Sequence, residues 1–191
     1  FVEYRRGMAL PAGTKVYSSV RGKALLLAVM GRESMDSGCV VAAAHVDSPR
    51  LDLKQNPMYE DSELAYFKTH YYGGIKKYQW TVLPLALHGV VALRDGRTVD
   101  VSIGDGRDDP QFIITDLLPH LAADQSKKTL SEAISGEGLN ILIGSVPDPE
   151  EGADRVKLAL LRLLNEKYGI TEADFLSAEL SAVPAIETRD Q

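Results

Sequence analysis

The chain lacks most of the patterns that would tie it together covalently or direct it to a membrane or a nucleic acid. One cysteine, Cys39, stands among 191 residues, so no internal disulfide is available. Lying in an apolar run, it is expected to be a buried, inert thiol. No apolar stretch reaches the roughly 20 residues of a membrane span, and no signal-peptide pattern opens the chain. Basic residues are the minority, 21 Lys and Arg against 27 Asp and Glu, for a net charge of −6. With no long basic run to offset that balance, a nucleic-acid partner is excluded. Internal repeats and low-complexity linkers are missing too. The hydrophobic share of 45% is ordinary for a soluble globular protein and argues against disorder. The expectation is a cytoplasmic protein of one large or two small domains.

What is present centres on Ala43-Ala44-His45-Val46-Asp47-Ser48-Pro49-Arg50. The apolar run Cys39–Ala44 leads into it and predicts a buried strand. That strand would deliver His45 at its carboxyl end, where open α/β sheets place their chemistry. Asp47 follows two residues later, and Ser48-Pro49 ends the strand. A His-x-Asp pair suits a metal site: the imidazole offers one nitrogen to the ion, and a carboxylate can hold the other ring N–H. The motif is short, and two ordinary readings stand beside it. His45 can close a strand through a backbone hydrogen bond, and Asp47 can form a turn before Ser-Pro.

The rest of the chain divides by texture. Glycines enclose Lys23–Met30, which reads as a second buried strand neighbouring the His45 strand. After Pro49 the pattern changes. Leu51-Asp52-Leu53-Lys54 alternates as a half-buried strand does, and Leu64–Tyr72 is also β-like. Pro84 makes an edge or bend at the start of the apolar run Thr81–Leu93. Asp95-Gly96 between that run and Thr98–Ile103 predicts a hairpin. A helix is expected over Thr115–Ala122, with Pro119 in its first turn. Leu139–Gly144 reads as a strand. Val156, Leu160, Leu163 and Leu164 mark one face of a helix that Gly169 stops. Thr171 and Asp174 can cap a short turn, and Leu176–Pro184 returns to strand texture. The acidic groups at Asp105–Asp109 and Asp148–Glu151 read as loops and lack EF-hand spacing. His120 alone reads as a helix-surface or core histidine, and Tyr72 and Trp80 as packing residues.

The run from Ala44-His45-Val46-Asp47-Ser48-Pro49-Arg50 through Lys68-Thr69-His70-Tyr71-Tyr72-Gly73-Gly74-Ile75-Lys76-Lys77-Tyr78-Gln79-Trp80 resembles the aspartyl aminopeptidase family of di-zinc exopeptidases, in its bacterial form. The resemblance continues in Ile114-Thr115-Asp116-Leu117-Leu118-Pro119-His120-Leu121-Ala122, in Gly136-Glu137-Gly138-Leu139-Asn140 and in Asn165-Glu166-Lys167-Tyr168-Gly169-Ile170. It implies an α/β fold in which a zinc-exopeptidase-like catalytic domain, here partial, is interrupted by a β-rich dimerisation or lid domain. By that resemblance, residues 1–47 and 176–191 belong to the catalytic domain and 48–175 form the insert. The shift of texture near Ser48, and back near Leu176, agrees.

The same resemblance implies the roles. His45 is a zinc ligand, and Asp47 is the catalytic-site carboxylate that orients it. His120 reaches from the insert into a neighbouring subunit's site, to bind substrate and steady the developing oxyanion. Arg50 and Lys54 are candidates to face an acidic substrate side chain. The implied activity is removal of N-terminal residues, with acidic ones a candidate preference, from peptide substrates by a water activated between two zinc ions. Self-association through the insert is expected. The family's other ligands, an Asp, a Glu-Glu pair, another Asp and a last His, would lie beyond Gln191. Glu150-Glu151 does not map onto the Glu-Glu pair. The chain is therefore expected to be an N-terminal part that neither binds two zinc ions nor hydrolyses peptides alone. The other reading is a non-catalytic oligomerisation module that stands by itself.

Overall fold

A computed structural model describes residues 1–150 and 152–186, which fall into two compact units, Phe1–Val46 and Asp47–Gln191. Glu151 and the end of the expected 176–191 segment, residues 187–191, lie outside the described residues. The fold is a mixed, sheet-rich α/β one. Among the described residues no helix is long and apolar enough to cross a membrane.

In the first unit, β1 (Val2–Glu3) runs parallel to β2 (Lys15–Val20), and β2 pairs antiparallel with β3 (Ala24–Val29). The β2–β3 turn holds Arg21 and Gly22 at φ of 55° and 68°, two consecutive left-handed residues whose twist suits a tight hairpin. The expected strand over 23–30 is thus formed, but it is not buried: Leu25, Leu26 and Leu27 are 60, 65 and 59% exposed. The run Cys39–Ala44 is not a strand, and it does not neighbour β3, whose partner is β2. Among the described residues no strand lies beside it to take its N–H and C=O groups, and an extended run without such partners gains nothing over solvated coil. Cys39 is correspondingly exposed, not buried.

The second unit is built on one antiparallel sheet of order β7-β6-β9-β4-β5-β8. The strands are β4 (Arg50–Asp61), β5 (Leu64–Tyr72), β6 (Leu85–Ala92), β7 (Thr98–Ile103), β8 (Ile141–Gly144) and β9 (Ala178–Pro184). Alternation sorts its two faces. The transverse row Ile103, Leu87, Ala182, Leu51 is apolar and buried. The row one residue along, Ser102, His88, Ser181, Asp52, His70, is polar and lies on the opposite face. Between Leu53 and Met58 the β4–β5 register jumps, with Asn56 at φ 49°. Pro57 sits fully buried in this bulge, where its missing N–H breaks no ladder.

The resemblance groups 176–191 with residues 1–47 in the catalytic domain. In the structure Ala178–Pro184 is hydrogen bonded between β4 and β6 of the second unit, with Leu180 and Ala182 buried against that core.

Two helices complete the unit, a single turn α1 (Leu130–Ala133) and α2 (Arg155–Tyr168). Val156 and Leu164 of α2 are buried, and its Leu160 lies so close to Gly144 that a Cβ there would stand 2.8 Å from a methyl carbon. Gly169 ends α2 at φ 74°, donating its N–H to the Asn165 carbonyl at 2.8 Å. The Asp95-Gly96 hairpin forms as expected, with Leu93 N–H to Arg97 O at 2.8 Å. The expected helix over 115–122 does not form. Only turns at Leu118–Ala122 close, because Leu117, Leu118 and Leu121 have no surface to pack on and a helix this short is not stable by itself.

Candidate metal centre

His45 lies in an exposed, irregular stretch at the end of the first unit, and Asp47 opens the second. From Asp47 onward the surroundings are well defined. The nearby Asp47 carboxylate holds the Tyr72 phenol above its ordinary pKa. Tyr72 is set in turn by its own cross-strand partner: Arg50 pairs with it in the β4–β5 ladder, and the Arg50 guanidinium lies 4.1 Å from the ring centroid. Arg50 Nε donates to Asp52 Oδ1 at 2.7 Å, and the Ser181 hydroxyl of β9 donates to the same oxygen at 2.6 Å. Gly73 turns the chain away after Tyr72 at φ 81°, where a Cβ would come within 3.5 Å of Pro49. Three strands therefore hold Tyr72 in place. Trp80 packs in the core, as expected, whereas Tyr72 is an exposed polar partner.

His120 is elsewhere in character. It is exposed in the Leu118–Ala122 turn and makes no hydrogen bond or ion pair among the described residues. Its neighbours Leu117, Leu118 and Leu121 are 53, 60 and 63% exposed. Lys54 donates to Glu137 Oε2 at 2.6 Å, which holds the Glu137 carboxyl below its ordinary range. Arg50 and Lys54, the two cations considered for an acidic substrate, thus each face a carboxylate of this chain.

The acidic loops serve the fold. Asp109 accepts the Gly104 and Gly106 N–H groups, and this lowers its carboxyl pKa. Asp148 is buried and receives Arg162 at 3.0 Å. The sequence marks no special role for these two carboxylates or Tyr72: Asp148 meets Arg162 only on folding, whereas the partners of Asp109 lie within its own loop. Among the described residues no three His, Cys, Asp or Glu side chains stand together as a cation would need. His45 and Asp47 fit zinc in kind, a nitrogen donor and an orienting carboxylate, but not in number, because a zinc centre takes four ligands.

The chain joins a sheet-rich α/β unit to a His-x-Asp pair of a kind that zinc sites use. It belongs to the aminopeptidase I zinc metalloprotease (M18) family, whose model matches residues 4–190. A probable M18 family aminopeptidase 1 from Clostridium acetobutylicum is 54% identical over 187 residues, 97% of this chain and 40% of that protein. The crystal structure of aminopeptidase I from that organism superposes with a TM-score of 0.87 at 50% identity, covering 95% of this chain and 40% of that one. The M18 aminopeptidase structure from Thermotoga maritima gives 0.85 at 46% identity, covering 92% and 38%. The mApe1 dodecamer of S. cerevisiae, 18% identical with a TM-score of 0.60 over 92% of this chain and 38% of that one, shares the fold. The chain spans about 40% of the length of the curated relatives it matches.

Proposed function

We propose that this chain is the N-terminal part of a zinc aminopeptidase that removes N-terminal residues from peptides. The observation that carries the reading is the family match over 4–190 in a chain covering 40% of its relative's length, together with a donor pair too small to hold zinc unaided. In the whole enzyme His45 is a ligand in a two-zinc site and Asp47 orients it. Residues 1–47 belong to the catalytic domain, and the β-rich unit beyond Ser48 is the insert, from which Ala178–Pro184 leads back. His120 acts on the substrate of a neighbouring subunit. The exposed Leu117, Leu118 and Leu121 around it support a segment that another copy covers.

Two variants of the full-length enzyme test the reading. His45→Ala is expected to lose zinc and activity together. His120→Ala is expected to keep zinc and lose at least 10-fold in kcat, the scale of removing a transition-state hydrogen bond. Mixed His45→Ala and His120→Ala subunits should recover activity that neither has alone. No recovery in hetero-oligomers shown to form would contradict the role in a neighbouring subunit.

A further inference from the structure

The loop that carries His120 is fastened at both ends, and neither fastening has a part in the activity derived so far. On the incoming side, Phe112 exchanges two backbone hydrogen bonds with Leu85 of β6, at 2.7 and 3.0 Å. The Ile113 carbonyl accepts the Leu142 N–H of β8 at 2.8 Å, and the Ile114 carbonyl accepts the Val82 N–H at 2.9 Å. Phe112 and Ile114 are buried, so the chain enters the loop from the sheet itself. Asp116 Oδ1 then accepts the Leu117 N–H at 2.8 Å. The same oxygen accepts Gln125 Nε2–H from the far side of the loop, also at 2.8 Å. Gln125 is half-buried, and the same amide reaches the Ala133 carbonyl of α1 at 3.5 Å. Ser126 ties the returning chain to the Ala122 carbonyl, through its N–H at 2.9 Å and its hydroxyl at 3.0 Å. Asp116 and Gln125 thus close residues 117–124 into one loop, with His120 inside it and Leu117, Leu118 and Leu121 exposed. Turns alone leave such a loop many conformations. A charge-assisted hydrogen bond at its neck removes much of that freedom before anything docks.

From this arrangement we infer that Gln125 is a positioning residue: with Asp116 it clasps the neck of the loop and sets where His120 stands when it reaches a neighbouring subunit's substrate. The inference rests on the role proposed above for His120. Its consequence is that the placing of His120 is prepared within its own subunit, by a side-chain pair anchored to the sheet, before a second copy is met.

The test is a double-mutant cycle in the full-length enzyme, read by kcat, by zinc content and by hydrogen exchange over residues 117–124. Gln125→Glu replaces the amide donor with a carboxylate facing Asp116 and opens the clasp. It is expected to lower kcat about 10-fold, to keep zinc at the wild-type level and to speed exchange over 117–124. Adding Asp116→Asn reverses the polarity of the pair, with the amide now at position 116 and the carboxylate at 125. It should recover most of the loss in kcat and in protection. In a His120→Ala background Gln125→Glu should lower kcat by less than about 2-fold further, because the group it positions is gone. Three results overturn the inference about Gln125 and leave His120 its role: wild-type exchange over 117–124 in Gln125→Glu, no rescue by Asp116→Asn, or an equal loss with and without His120. If His120→Ala itself keeps wild-type kcat, the proposed role of His120 fails, and this inference with it.

Discussion

Asp174 shows how much one side chain can hold. It is 3% exposed and accepts the Thr171 hydroxyl at 2.5 Å, the Thr171 N–H at 2.8 Å and the Arg94 N–H at 3.2 Å. The Thr171 hydroxyl bond, followed by the two N–H bonds, lowers its carboxyl pKa. A depressed carboxylate stabilises the fold fully above its unfolded pKa and ceases to as the pH falls through the lower folded value. Acid unfolding of the wild type should therefore be steeper below about pH 4 than that of Asp174→Asn, in the range where unfolded Asp titrates. At neutral pH Asp174→Ala should cost about 1–2 kcal/mol in a denaturant melt, the scale of a lost cap. The Thr171–Asp174 cap was legible because its residues are three apart. His45-x-Asp47 stands out in the sequence for the same local reason, and its metal role is the one proposed above. The stacking of Arg50 on Tyr72 was not legible, because it depends on the β4–β5 register, which leaves no mark in residue order.

Strands read from alternation were found where alternation reports one buried face. Leu51-Asp52-Leu53 is such a case, and the hairpin read from its Asp95-Gly96 turn is formed as well. Two apolar runs without alternation misled, because hydrophobicity alone does not say whether a neighbour exists. Ala24–Val29 is a strand with exposed leucines, and Cys39–Ala44 is none. The segment around His120 read as a helix from composition, yet its leucines find no surface here to pack on. The inner strands carry a sharper expectation. Gly89 of β6 has φ 143°, and a Cβ there would lie 1.9 Å from the Glu179 carbonyl oxygen of β9. Gly89→Ala should destabilise by about 2–4 kcal/mol, combining backbone strain with a clash that only strand separation relieves. A denaturation midpoint close to wild type would show that β6 and β9 are not packed this closely. Hydrogen exchange of the isolated chain should likewise be slow in β6 and β9 and fast over residues 38–49, which form no ladder.

At the scale of the molecule, two units differ in how complete they are. The second has a buried core running from Leu51 to Ala182 across its sheet. The first leaves Leu25, Leu26, Leu27, Val40 and Val41 in solvent, with Val40 fully exposed. On the reading proposed above, that apolar surface belongs to a catalytic domain whose other parts would cover it. The family match, over a chain 40% as long as its relative, points the same way. On the proposed reading the chemistry belongs to the whole enzyme and not to these 191 residues. The most direct test is an aminopeptidase assay on the isolated 191-residue chain with added zinc, with and without chelator, beside the full-length enzyme. On that reading turnover is chelator-sensitive in the full-length protein and absent in the isolated chain. Turnover by the isolated chain that chelation abolishes would contradict it.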